Sequence, residues 1–330
     1  MNETAFYYAP MEGITNHCYR RLHHKHFPGI DKYFMPFMAP HLKGHIKNKE
    51  KNDIFPGNNE ALTAVPQILT NDAESFIITA RMLKDLGYPE VNLNLGCPSP
   101  TVVTKGKGSG FLAYPEKLDV FLETIFNALE GEIAISVKTR LGMTDPAEAE
   151  VIFPLYEKYP LEELIIHPRT QKDFYKNTPN REMFKTLAEK SRHKICYNGN
   201  LYTEEDCRTL LEEVPVCQNL MLGRGLLRNP ALVRKMKGGR DLNMADFRAF
   251  HDEVYEAYRE LYDGPSAILG HMKELWVYME SMLTAEPRDV KAVRKARKLP
   301  EYELAVRHIF NGSEIVSVGD QPRETEAVKL

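Results

Sequence analysis

Eight short apolar runs, at residues 6–9, 32–35, 64–69, 90–94, 133–138, 163–167, 194–197 and 219–222, alternate with amphipathic stretches through roughly the first 236 residues. Runs this short suit strands buried on both faces and are too brief for helices. Between them the period becomes helical. In residues 72–86, Asp72 is an N-cap candidate, Phe76, Ala80, Leu83 and Leu86 share one face, and Gly87 ends the pattern. Residues 115–129 repeat it, with Pro115 at an N1-like position and Leu118, Phe121, Leu122, Ile125 and Leu129 facing inward. A helix after each strand carries the chain back to the starting edge, so successive strands run parallel. Eight such units match a closed (β/α)8 TIM barrel of the α/β class, which typically takes ~250 residues. An open doubly wound sheet would place a glycine fingerprint after its first strand. Residues 10–13 read Pro-Met-Glu-Gly instead.

The alternation stops near residues 237–241, and helical periodicity continues through 245–261, 266–283 and 289–298. This predicts a barrel domain over 1–240, an all-helical domain over 241–312 and a flexible tail over 313–330. No apolar run approaches the ~18 residues of a membrane span, and the start, Met1-Asn2-Glu3-Thr4, lacks a basic, apolar leader. The expectation is a cytoplasmic protein with no membrane partner. Its five cysteines, Cys18, Cys97, Cys196, Cys207 and Cys217, show no CxxC spacing, which argues against a disulfide framework and against a metal site. The net charge of −3 conceals a basic stretch. On a helix, Arg288, Lys291, Lys295 and Lys298 fall along one stripe with Arg294 nearby, and such a stripe is either a solvated face or a track for phosphates.

Barrel chemistry sits at the carboxyl ends of the strands. Those positions are polar here: Gln67 after the third run, Asn94 and Cys97 after the fourth, Lys138 and Arg140 after the fifth, His167 and Arg169 after the sixth. Asn198-Gly199-Asn200 and Gly223-Arg224-Gly225 follow the seventh and eighth, where barrels commonly bind phosphate. Cys97 stands in a glycine-rich loop with Lys105 and Lys107, and that loop lacks P-loop spacing.

Taken together, "APMEGITN" (9–16), "LNLGCPSP" (93–100), "KGKGSGFL" (105–112), "VKTRLG" (137–142), "IHPRT" (166–170), "YNGN" (197–200), "LGRGLLRNP" (222–230) and "HMKELW" (271–276) resemble the FMN-dependent tRNA-dihydrouridine synthases. The resemblance implies an FMN-bearing barrel, a cysteine acid in the loop after the fourth strand, and a helical domain that helps hold RNA. It assigns Ala9, Pro10, Met11, Gln67, Lys138 and His167 to the flavin, and Asn198, Gly199, Asn200, Gly223 and Arg224 to its phosphate. Asn94, Arg140, Arg169, Lys105, Lys107, Lys291, Arg294, Lys295 and Lys298 would meet the RNA. NADPH would be the reductant. A thiol of ordinary pKa, ~8.5, is mostly protonated at neutral pH, so Cys97 could donate the proton that uridine reduction requires at C5. Two positions depart from the family: Asn200 stands where an acidic residue is frequent, and Pro168 where a small one is usual. The partner would be tRNA, with ribosomal RNA left open, and the protein a monomer. The competing readings are a flavin oxidoreductase acting on a free pyrimidine or enone, and an RNA-binding protein without catalysis.

Overall fold

The computed structural model describes residues 4–40 and 46–316. Most of the expected tail, residues 317–330, lies outside the described residues. Nine parallel strands form one sheet: β1 (Ala5–Tyr8), β2 (Lys32–Phe34), β3 (Ala64–Val65), β4 (Gln67–Ile68), β5 (Glu90–Leu95), β6 (Ala134–Gly142), β7 (Leu164–Thr170), β8 (Ile195–Asn198) and β9 (Asn219–Leu222). The count exceeds the eight runs because Pro66 divides the third one. Its first half pairs with β2 and its second with β5, so the two ends of the strand order meet at one proline and the ring closes. Proline brings no N–H to a ladder, and this is the one place where the sheet is interrupted between consecutive residues. Between β6 and β7 the register slips from Arg140↔His167 to Gly142↔Thr170, one extra residue on β7 at the point where Pro168 again lacks an N–H.

The outer helices follow the sequence pattern closely. Ala73–Asp85 starts at Asp72, whose side chain accepts from the Ser75 N–H, and Pro115–Ala128 buries Leu118, Phe121, Leu122 and Ile125. Leu86 departs from expectation. It caps its helix and is 38% exposed, because the chain leaves the helix there for the turn at Gly87. Inside the barrel, Tyr7, Ala9, Phe34, Val65, Ile165, Cys196 and Met221 from six strands form a buried cluster.

Beneath it, at the amino ends of the strands, Lys32 Nζ lies 2.6 Å from Glu90 and 3.7 Å from Glu163, and Asn219 donates to Glu163 at 2.5 Å. Two buried carboxylates share one ammonium, and burial raises Glu163 to about 7. Between the ordinary carboxylate pKa and that value, the unfolded chain has released a proton that the folded chain keeps. Stability from this group is therefore full below the ordinary value and falls as pH rises toward about 7, by up to ~3 kcal/mol. Thermal unfolding of a Glu163→Gln variant should lose that slope between pH 5 and about 7. A parent whose midpoint does not fall across the same window excludes the effect.

The chain folds as two compact units that interleave in sequence: Met1–Pro10, Asp31–Asn200 and Cys207–Leu222 in one, and Met11–Ile30, Leu201–Asp206 and Gly223–Leu330 in the other. The first contains the barrel strands. In the second, helix His17–His26 packs on Met244–Leu261, with Phe250 edge-on to Tyr19 at 5.5 Å and to Phe27 at 5.3 Å. Pro265–Met279, Pro287–Lys295 and Leu299–Gly312 complete the helical core. Trp276 donates to the Tyr302 hydroxyl at 2.7 Å, and that hydroxyl meets His251 Nε2 at 2.7 Å. The expected helix over 289–298 is corrected to Pro287–Lys295, because Ala296 turns to extended backbone and Lys298 caps the next helix.

Candidate active site

At the carboxyl end of the barrel a chain of side-chain amides runs across three strands. Asn92 Nδ2 donates to Ser136 Oγ at 2.9 Å, Gln67 Nε2 to Asn92 Oδ1 at 2.7 Å, and Asn94 Nδ2 to Gln67 Oε1 at 2.7 Å. Asn94 Oδ1 then accepts the backbone N–H groups of Gly96, 3.0 Å, and Cys97, 2.9 Å. Gln67, Asn92 and Ser136 are fully buried, so their polar groups have exchanged water for one another. The far end of the chain holds the cysteine loop. Arg140 Nε donates to the Gly96 carbonyl at 2.8 Å, and Ser109 donates to the Cys97 carbonyl through its N–H, 3.1 Å, and its hydroxyl, 2.8 Å. Gln171 Nε2 donates to the Pro98 carbonyl at 3.1 Å. Every backbone polar group from Gly96 to Pro98 therefore has a partner.

The glycines of this loop serve close packing. Gly108 has φ 56°, and a Cβ there would lie 2.9 Å from the Cys97 carbonyl and 3.0 Å from its Cβ. A Cβ on Gly110 would meet the Val103 carbonyl at 2.6 Å. In the fold, the glycines let the loop seat against its neighbours. Of the five cysteines, Cys97 alone is not buried.

Arg140 is buried and also donates to the carbonyls of Thr170, the last residue of β7, and of Phe174, in the loop that follows, each at 2.9 Å. Its guanidinium lies 5.4 Å from the ring centre of Tyr175. Buried Arg169 donates to His167 Nε2 at 2.8 Å, to the Asn177 carbonyl at 2.6 Å and to Asn200 Oδ1 at 3.1 Å. Since a guanidinium only donates, His167 Nε2 is the acceptor and its proton sits on Nδ1. Asn200, the departure from the family pattern, supplies an amide oxygen where a carboxylate would have served the same arginine. Lys138 is half-buried between the registers of Asn94 and Ile165. Burial, then the nearby Arg140 charge, lowers its ammonium to about 8, and it makes no hydrogen bond or ion pair among the described residues.

Ala9 is committed through its N–H to the Leu222 carbonyl at 2.8 Å, and Pro10 has none to offer. Asn198 donates to the Met221 carbonyl at 2.8 Å, and Gly199 lies flush on the Tyr197 ring, where a Cβ would stand 2.7 Å from one of its edge carbons. In the helical unit, the Met11 N–H is bound by Thr15 Oγ1 at 2.9 Å. Gly223 precedes the short helix Arg224–Arg228, and the guanidiniums of Arg224 and Arg228 lie 5.5 and 4.7 Å from the centre of the Tyr202 ring.

Among the expected RNA contacts, Lys105 is exposed and Lys107 half-buried on the cysteine loop's neighbour. Lys291 and Lys295 are exposed on Pro287–Lys295 and make no ion pair among the described residues, whereas Arg294 pairs with Glu280. Lys298 lies beyond the break at Ala296 and so off that helix. Lys273, in "HMKELW", caps the helix of the stripe by donating to the Ala296 carbonyl. Sequence reasoning missed Asn92, Ser109, Gln171 and Tyr175. Asn92 was readable, two residues before Asn94 and so on the same face of a strand. Gln171 and Tyr175 carry no local signal, since their places depend on where the β7 loop lands.

A closed parallel barrel whose carboxyl end gathers an amide chain, a half-buried ammonium and one accessible thiol belongs among the barrel oxidoreductases. The model of the dihydrouridine synthase (Dus) family matches residues 7–296, and the chain belongs to that family. A tRNA-dihydrouridine(16) synthase of Pseudomonas putida is 28% identical over 283 residues, 82% of this chain and 86% of its own length. A probable tRNA-dihydrouridine synthase 2 of Bacillus subtilis is 27% identical over 261 residues, 77% and 78% of the two chains. Among solved structures, histamine dehydrogenase from Rhizobium sp. 4-9 superposes with a TM-score of 0.52 at 14% identity, over 71% of this chain and 46% of that longer one, which speaks for the barrel fold. No helix among the described residues is long and apolar enough to cross a membrane.

Proposed function

We propose that this protein reduces uridines of tRNA to 5,6-dihydrouridine, with FMN as its flavin, NADPH as reductant and Cys97 as the proton donor to C5. The observation that carries the reading is the placing of Cys97: the single unburied thiol, on a backbone with no unbound polar group, at the strand ends beside Lys138. The site suits a flavin. A half-buried ammonium without an internal partner is satisfied by an electron-rich ring edge, and an anion beside it would raise its pKa back toward the ordinary lysine value. When bound, the flavin supplies the hydride that goes to C6.

Lys138 holds the ring edge by charge. Gln67, buried in the amide chain, stiffens the floor through Asn94, while Ala9 and Pro10 contribute packing and carbonyls because their N–H groups are committed or absent, and Met11, whose N–H and carbonyl are both taken up by Ile14 and Thr15, contributes packing. His167 accepts from Arg169 and so presents a neutral ring. Asn198, Gly199, Asn200, Gly223 and Arg224 are the residues proposed for the phosphate. A uracil stacked in RNA must be turned out to reach a barrel mouth, at a cost of a few kcal/mol. Phosphate contacts from Lys105, Lys107, Lys291, Arg294, Lys295 and Lys298 are proposed to offset it.

The purified protein should be yellow, be bleached by NADPH with oxygen excluded, and then regain its colour on addition of unmodified tRNA but not of free uridine. A colourless protein that takes up no FMN overturns the reading. A Lys291→Gln, Lys295→Gln double variant should bind tRNA about tenfold more weakly at moderate salt, with a shallower salt dependence and full flavin content. Parental affinity in that variant removes the stripe from the interface.

A further inference from the structure

Gln171 makes a single crossing from the β7 loop to the cysteine loop, its Nε2 donating to Pro98 across a sequence separation of 73 residues. Its own backbone is fixed, since its N–H donates to the Gly142 carbonyl at 2.9 Å. The residues that follow are equally constrained. Asp173 accepts from the Thr170 N–H and hydroxyl, each at 2.8 Å, and Phe174 holds a left-handed φ of 49° with its carbonyl on Arg140. A non-glycine residue in that region persists only where its surroundings over-determine it. Four side chains thus fix the backbone under Cys97: Asn94, Arg140, Ser109 and Gln171. Asn94, Arg140 and Ser109 are buried, and Gln171 alone is half-exposed at the mouth.

We propose that Gln171 is a positioning residue for the proton donor, holding the Cys97 loop against the β7 loop so that the sulfur stands at one fixed height over the base. The proposal rests on Cys97 as donor. Proton transfer tolerates little displacement, and an error of about 1 Å in such an arrangement can cost on the order of a hundredfold in rate. A bond at Pro98, one residue from the donor, acts on that distance directly.

Gln171→Met keeps length and bulk and removes the donor. Flavin-loaded enzyme, reduced with NADPH without oxygen and mixed with unmodified tRNA, should return its colour about 10- to 100-fold more slowly than the parent. Flavin content and the rate of bleaching by NADPH should match the parent. Cys97, followed by peptide mass in the free protein, should react with iodoacetamide about fivefold faster as its loop loosens. On a Cys97→Ala background, Gln171→Met should add no further loss, because its effect passes through the thiol. Parental rates of colour return and alkylation in Gln171→Met, or an additive loss on the Cys97→Ala background, overturn the proposal. Parental turnover by Cys97→Ala removes the donor and this inference together. Loss in Cys97→Ala with parental Gln171→Met removes the second alone.

Discussion

A Cys97→Ala variant should convert tRNA about 10² to 10⁴-fold more slowly than the parent, the range that a positioned general acid contributes. The loss should be chemical, because the bonds that hold the loop through the backbone of Gly96, Cys97 and Pro98 are kept by the substitution. Alanine keeps the Cβ and adds no atom, so nothing new presses on the close-packed Gly108. Flavin content, bleaching by NADPH and tRNA affinity should therefore be those of the parent, with only the return of colour on tRNA slowed. Cys97→Ser should be impaired as well, since a hydroxyl in the same place is a far weaker acid. Turnover within about threefold of the parent in the alanine variant would exclude the thiol as donor.

Gly225→Ala should be the most damaging small substitution in the helical unit. A Cβ there would lie 2.0 Å from the Leu201 carbonyl oxygen, a clash of backbone with backbone that no rotamer relieves. The neighbouring peptide must move, and the expected destabilisation is about 4 kcal/mol or more, within the range reserved for strain at a closely packed position. Gly270 supplies the control. It is exposed inside Pro265–Met279 with nothing within 4 Å of a built Cβ, so Gly270→Ala should stabilise by up to ~1 kcal/mol. Thermal unfolding of the two variants separates close approach from glycine flexibility as the reason for Gly225. Equal midpoints would show that the Leu201 peptide gives way freely.

Much of the barrel was legible because burial imposes a short period. Phe76, Ala80 and Leu83 are fully buried at the spacing their helix demands, and each apolar run became a strand or, at Pro66, two. The basic stripe was half legible. Its charges are exposed, but a straight helix through residue 298 was assumed, and no residue type there announces the turn at Ala296. The role of the loop glycines was not legible, for a physical reason. Glycine has the same signature whether it bends freely or lets two backbones touch, and only the neighbours distinguish the cases.

The order of apolar runs and helical stretches was enough to determine a parallel closed sheet, and the position of Cys97 after its strand was enough to place a thiol at the chemical end. Both are local properties, readable from spacing along one segment. The tertiary structure alone decided what holds that thiol: Arg140 reaches Gly96 over 44 residues and Gln171 reaches Pro98 over 73. Such bonds form between segments that become neighbours only when the strands line up in the sheet, and no period along the chain encodes which two segments those will be.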